Sequence, residues 1–302
     1  LRVLVFGMGA IGSVFAARLS KRHEVVGICR GEHYEEIKRS GLKLRGGTEG
    51  TFSIRVYRSL KELDEKTFDL VLIATKSYDL KQALKAIKRD ITFSYLMTVQ
   101  NGLGLIDILE EVIGRSRVIY GITYNAAVLV RPGVVDHVFL GETVIKSLVD
   151  DPFDEYLVKE LKSVGLPARK SDNILKDIWL KGTVNCVINP LTAILREKNG
   201  IIREKWDLLS DVVSGVVTEC LEAAKIDGVD LGSPQELLDL IKDVSLRTSE
   251  NRSSMLQDIL KGRRTEIEFL NCYVASRLES IGKRAPYNRA LCALIRSMEG
   301  LS

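Results

Sequence analysis

An ammonium and two carboxamides recur at four-residue intervals in WLKGTVNCVINPLTAI, residues 179–194: they are Lys181, Asn185 and Asn189. Four residues turn a helix by about 400°, so the three form one slowly drifting polar stripe. Val184, Cys186, Val187, Ile188, Leu191 and Ile194 beside them are apolar. A snorkelling lysine and two surface amides are the ordinary fate of such residues. The narrow stripe argues against it, because amides and an ammonium set among apolar side chains are costly to bury without a partner. A substrate in a cleft between domains is such a partner. Pro190 follows at once and is expected to kink or end the helix, since it lacks a backbone donor.

RSSMLQDILKGRRTEIEFLN (252–271) reads as a second helical stretch of the same kind. Ser253 and Ser254 sit near its start, Asp258 follows in its first turns, and Glu266 lies about three turns beyond Ser254 on the same expected helix. Taken alone, Glu266 is a solvated helix carboxylate. Next to the lysine stripe it becomes a candidate counter-ion, because an ammonium in a partly buried cleft needs an anion. QNGLG (100–104) ends a strand where ligands bind in parallel α/β sheets. Asn101 there is either a nicotinamide or substrate contact or a turn amide before Gly102. The three histidines, His23, His33 and His137, cluster with neither acids nor cysteines, so no metal site is expected.

The anion-binding chemistry sits at the other end of the chain. GMGAIG places Gly7, Gly9 and Gly12 after a strand-like run, RVLVFG, and before a stretch read as an amphipathic helix. Gly7 permits the tight turn, Gly9 lets the backbone approach a pyrophosphate, and Gly12 allows close helix–strand packing. Met8, Ala10 and Ile11 complete the loop, and the helix start offers N–H groups with a partial positive charge. Sites that prefer NAD usually end the second strand with Asp or Glu on the ribose 2′-OH. Here EVVGICR (24–30) ends in Arg30, which suits a 2′-phosphate. Lys76, ending FDLVLIATK (68–76), is either a second phosphate ligand or a solvated strand end. NADPH is favoured as cofactor, and use of NADH stays open.

Strand-like and helix-like stretches alternate through the first half and carry these groups. RVLVFG, EVVGICR, FDLVLIATK, YLMTVQNG (95–102) and RVIYGITYN (117–125) are β-branched runs, with helix-like stretches such as 11–21 and 80–89 between several of them. Near-continuous apolar strands alternating with helices predict a parallel sheet covered on both faces. GVVDHVFLGETVIKSL (133–148) alternates as antiparallel strands do. Beyond Ser171 the strand signals vanish and apolar residues recur at i, i+3, i+4 and i+7. The division falls near Lys170: residues 1–170 as a Rossmann-type NADP-binding domain, and 171–302 as an all-α substrate-binding and catalytic domain.

Length and composition agree with two cored domains. The 302 residues are 45% apolar and 28% charged, with 44 basic against 40 acidic residues. That balance is an ordinary soluble globular one rather than that of a disordered or membrane chain, and an excess of +4 does not point to nucleic acid. The stretch 118–130, broken by Tyr, Thr and Asn, is too short and polar to span a membrane. No signal peptide is visible at the strand-like start. Five scattered cysteines without a CxxC pair read as reduced thiols in a soluble, cytoplasmic protein. The apolar helices beyond Gly200 lean towards a homodimer.

GMGAIG, TKSY, QNGLG, KGTVNCVINPLTAI and SSMLQDILKGRRTEIEFLNCYV together resemble the ketopantoate reductase family, over nearly the whole chain. The resemblance implies a 6-phosphogluconate-dehydrogenase-like fold, an α/β Rossmann-type domain followed by an all-α domain. It implies NADPH-dependent reduction of 2-dehydropantoate to (R)-pantoate in pantothenate and coenzyme A biosynthesis. Lys181 matches the general acid of that family, and Glu266 the acidic residue that helps bind the substrate and lies near the cofactor. Asn185, Asn189 and Ser254 match substrate contacts, and Asn101 an asparagine near both cofactor and substrate. Arg30 and Lys76 match the 2′-phosphate pair.

Overall fold

Eight strands form the main sheet of the computed structural model, which describes residues 1–300. They are β1 (Arg2–Phe6), β2 (Glu24–Ile28), β5 (Arg55–Tyr57), β6 (Thr67–Ile73), β7 (Thr92–Thr98), β8 (Val118–Thr123), β11 (Thr143–Ser147) and β12 (Ala168–Lys170). Their order is β12-β11-β8-β7-β6-β1-β2-β5. The six strands from β5 to β8 run parallel, while β11 is antiparallel to β8. From β1 the chain builds outward first through β2 and β5, then on the opposite side through β6, β7 and β8. This is the doubly wound order, whose reversal of direction at β1 and β6 leaves a crevice at their carboxyl ends. Val3, Leu4, Val5, Val71, Leu72 and Ile73 in these central strands are fully buried, as strands covered on both faces require.

A second sheet, not anticipated from the sequence, has the order β4-β3-β10-β9. It contains β3 (Leu42–Gly46), β4 (Gly50–Phe52), β9 (Ala126–Arg131) and β10 (Val134–Phe139). The run 133–148 is thus split between two sheets. β10 is antiparallel to β9 but parallel to β3, and β11 is antiparallel to β8 but parallel to β12. Helix α1 (Ala10–Leu19) packs on β1 and β2 of the main sheet and on β3, β9 and β10 of the small one. It is therefore not amphipathic as expected. Gly12, Ser13, Val14, Phe15, Ala16, Ala17 and Leu19 are all buried, because the helix has no broad water-facing side. The other helices of this unit are α2 (Gly31–Ser40), α3 (Leu80–Asp90), α4 (Leu105–Val112) and α5 (Phe153–Ser163).

Contacts divide the chain into two compact units: Leu1–Gln100 with Leu105–Ile174, and Asn101–Gly104 with everything from Leu175 onward. Helices joined by loops make up the second unit, with no strand among its described residues. It holds α6 (Ile174–Leu195), α7 (Ile201–Glu204), α8 (Trp206–Ile226), α9 (Pro234–Arg247), α10 (Ser254–Leu260), α11 (Asn271–Glu279) and α12 (Pro286–Met298). Its core joins Cys186 and Val187 of α6, Val213, Val216 and Val217 of α8, and Val274, Ala275 and Leu278 of α11, all fully buried.

Two expectations for this unit need correcting. Helix α6 does not end or break at Pro190 but runs five residues beyond it. A proline at position 190 leaves the carbonyl of Cys186 without its helical donor. The Asn271 side chain supplies one, its Nδ2 lying 2.8 Å from that oxygen. The cysteines are not all reduced: Cys272 and Cys292 form a disulfide between α11 and α12, whose Cα atoms stand 5.2 Å apart there. That proximity is created by the turn between the two helices and leaves no trace in residue spacing. Cys29, Cys186 and Cys220 are free and buried.

Candidate active site

The loop 7–12 follows β1 at the crevice of the main sheet. Gly7 has φ +99°, and a Cβ there would lie 2.6 Å from Thr75 Cγ2 and 2.7 Å from Thr75 N. A Cβ on Gly12 would stand 2.2 Å from the Gly7 carbonyl oxygen, so this pair sets how closely α1 approaches β1. Gly9 faces open space, with no atom within 4 Å of its Cβ position. The N–H groups of Gly7 and Met8 are spent on the Ile28 carbonyl at 3.2 and 3.0 Å, and the Met8 side chain turns inward onto Gly27. Ser13 N closes the first helical bond, on Gly9 O. Ala10, Ile11 and Gly12 therefore open α1 with backbone N–H groups that no helical bond uses, and Gly9 leaves open space beside them.

Arg30 follows β2 and is exposed, capping α2. Lys76 follows β6 and is half-buried. Their strands lie on either side of β1, so both residues follow the carboxyl ends of strands next to it. Gln100, unnoticed in the sequence, fixes the Lys76 side of the crevice. Its Nε2 donates to Thr75 O (2.9 Å), Thr75 Oγ1 (3.1 Å) and Lys76 O (3.1 Å), while its Oε1 accepts from Thr98 (3.0 Å). One carboxamide thus ties the end of β7 to the segment lying on Gly7.

The other predicted residues fall in the second unit. Lys181 and Asn185 are half-buried on α6, and Asn189 is buried at 8% exposure, so the stripe turns inward as it climbs the helix. Loss of hydration pushes the Lys181 ammonium down to about 8, while the Glu266 carboxylate pulls it back up. Glu266 itself is only 9% exposed. It does not share a helix with Ser254, as the sequence suggested. Helix α10 stops at Leu260, and Gly262 follows with φ +60°, a left-handed conformation that a helix cannot continue through. Glu266 instead caps a short 3-10 turn, Ile267–Phe269.

Of the two serines, Ser253 is the true N-cap of α10: its hydroxyl oxygen accepts from Leu256 N at 3.1 Å and from Thr192 Oγ1 at 2.7 Å. Ser254 is left exposed. Asn101 belongs with this unit, on a segment whose Gly102 and Gly104 have φ of +132° and +75°. The second unit therefore brings together a lysine with a lowered pKa, a buried carboxylate acting on it, and amides on the same helix. Such a group can hold a carboxylate substrate and deliver a proton to an oxygen that is gaining charge. Among the described residues no group of His, Cys, Asp and Glu could hold a metal.

A dinucleotide loop on a doubly wound sheet, joined to a helical unit carrying such a lysine, defines the class of two-unit α/β oxidoreductases. Residues 3–150 match the family description "Ketopantoate reductase PanE/ApbA", and residues 173–299 match its C-terminal counterpart. The chain is 34% identical to the 2-dehydropantoate 2-reductase of Pyrococcus abyssi, covering 100% of this chain and 99% of that protein. It is 36% identical to the one from Pyrococcus horikoshii, over 100% and 98%. Among solved structures, a ketopantoate reductase from Ralstonia eutropha superposes with a TM-score of 0.90 at 28% identity, over 99% and 98% of the two chains. D-mandelate dehydrogenase with NADH and anilino(oxo)acetate gives 0.91 at 27%, with the same coverage. The chain belongs to the ketopantoate reductase family.

Proposed function

We propose that the protein is a 2-dehydropantoate 2-reductase, reducing 2-dehydropantoate to (R)-pantoate with NADPH in pantothenate and coenzyme A biosynthesis. The observation that carries this is Lys181, whose pKa desolvation lowers to about 8 while Glu266 raises it, on a helix lined with amides. When bound, the nicotinamide supplies hydride to the ketone carbon. Ala10, Ile11 and Gly12 hold the pyrophosphate through their N–H groups, with Gly9 leaving room for it, and Arg30 and Lys76 hold the 2′-phosphate. Lys181 donates a hydrogen bond and then its proton to the emerging alkoxide, a role typically worth about 10²–10⁴ in rate. Asn101, Asn185, Asn189 and Ser254 bind the carboxylate and hydroxyl ends of the substrate, and Glu266 orients Lys181. The enzyme works as a homodimer, a state that light scattering tests.

A second reading, an NADH-dependent D-2-hydroxyacid dehydrogenase, takes its support from the likeness to D-mandelate dehydrogenase. Arg30 at the end of β2, where an acid would favour NADH, speaks for the phosphorylated cofactor. Loss of NADPH absorbance on adding 2-dehydropantoate, against phenylglyoxylate with NADH, decides between them. A faster reaction of phenylglyoxylate with NADH overturns the proposal.

A further inference from the structure

The segment Asn101–Gly104 is bonded at both ends to the first unit, yet it packs with the second. Three contacts hold it there. The N–H of Leu103 donates to the Phe269 carbonyl at 2.7 Å, and Phe269 closes the turn capped by Glu266, its own N–H lying 3.0 Å from the Glu266 carbonyl. The fully buried Leu103 side chain lies on Gly182, the residue after Lys181: a Cβ on Gly182 would stand 2.5 Å from Leu103 Cδ2. Gly104 rests on the Tyr273 ring, where a Cβ would be 2.3 Å from Cε2. The Tyr273 hydroxyl and the Trp179 indole N–H both donate to Asp227 Oδ2, at 3.4 and 3.2 Å, so the support returns to α6 two residues before Lys181.

We infer that Leu103 is a positioning residue for the reduction: it fixes the spacing of Asn101, Lys181 and Glu266. The inference rests on the reading of Lys181 and Glu266 given above. One residue links all three: it follows Asn101 by two positions in the chain, its side chain packs on the backbone beside Lys181, and its N–H bonds the turn that Glu266 opens. A misplacement of about 1 Å in such a group can cost on the order of a hundredfold in rate. Glycine at 182 is what lets leucine reach the helix backbone, so the two positions are coupled by volume.

The test compares Leu103→Ala, Leu103→Met, Gly182→Ala, the double variant Leu103→Ala/Gly182→Ala and Lys181→Ala in the full-length enzyme. It reads kcat, both KM values, NADPH affinity by fluorescence, and thermal unfolding. Leu103→Ala is expected to lower kcat at least tenfold with NADPH affinity within twofold. Leu103→Met should stay within threefold of the parent. The double variant should recover kcat above either single alanine variant, because the methyl at 182 refills part of the space. Wild-type kcat in Leu103→Ala, or equal loss of kcat and NADPH affinity, overturns the inference. If Leu103→Ala does not fold, Gly182→Ala decides, and its kcat within twofold of the parent overturns the inference. Near-normal activity in Lys181→Ala defeats the underlying reading instead, whatever Leu103 does.

Discussion

Burial and Glu266 pull the Lys181 proton in opposite directions, and burial wins, leaving a pKa of about 8. A general acid must carry its proton, so kcat/KM for reduction should be flat below about pH 8 and fall tenfold per unit above it. For oxidation of pantoate the lysine acts as base, and the rate should rise towards the same midpoint. Glu266→Gln removes the interaction that raises the pKa, so its midpoint should move to lower pH; a midpoint unchanged in a pH–rate series would separate Glu266 from the proton. The sign for stability follows from the depressed pKa. Between about pH 8 and 10.5 the unfolded chain holds a proton that the folded one has released. This group's contribution therefore rises with pH through that window and is constant and unfavourable below it. Arg30→Ala tests the phosphate site. Losing a charged hydrogen bond worth about 1.5–3 kcal/mol predicts a KM for NADPH raised about 10- to 100-fold. The KM for NADH should change less than threefold, and steady-state assays with both cofactors check it.

Helix α6 depends on a neighbour for its continuity past Pro190. Asn271 also donates to Asn288 Oδ1 at 2.9 Å, and Asn288 donates through Nδ2 to Glu219 at 2.7 Å, so α6, α8, α11 and α12 share one buried polar chain. Asn271→Leu leaves the Cys186 carbonyl orphaned and should cost about 2–3 kcal/mol in urea unfolding. Adding Pro190→Ala restores a backbone donor and should recover part of that loss, a coupling that a double-mutant cycle measures. No recovery would mean that Asn271 acts elsewhere. The disulfide staples α11 to α12 across 20 residues, a loop for which removal is expected to cost about 3 kcal/mol. Thiol titration of the unreduced, unfolded protein should count the three free cysteines, and five after reduction.

Across the whole molecule, the anion-binding loop lies in the first unit and the proton donor in the second, and the chain passes between the units at 100/101, 104/105 and 174/175. A cofactor that binds only the folded state raises stability by about 2.7 kcal/mol at a hundred times its Kd. NADPH should therefore shift the unfolding midpoint upward, and the shift should shrink in Arg30→Ala at the same cofactor concentration. An equal shift in both proteins would remove Arg30 from the cofactor site.

The parallel strands, the glycine loop and the helical second half are legible in the order of residues alone. Each is written in local signals: β-branched runs, glycines at fixed offsets, apolar residues at helical period. Lys181 and its amides are legible too, because a polar stripe on an apolar helix is visible without any partner. What depends on distant residues meeting emerges only once the chain is folded. The small sheet buries α1 on a second side, which the pattern of α1 could not reveal. Glu266 acts on Lys181 from a turn rather than from the face of a long helix. Asn271 answers a donor that Pro190 lacks, 81 positions away in the sequence. The missing donor was legible, since every buried carbonyl requires one, but its supplier was not, because a hydrogen bond is fixed by where two atoms come to rest rather than by their spacing along the chain.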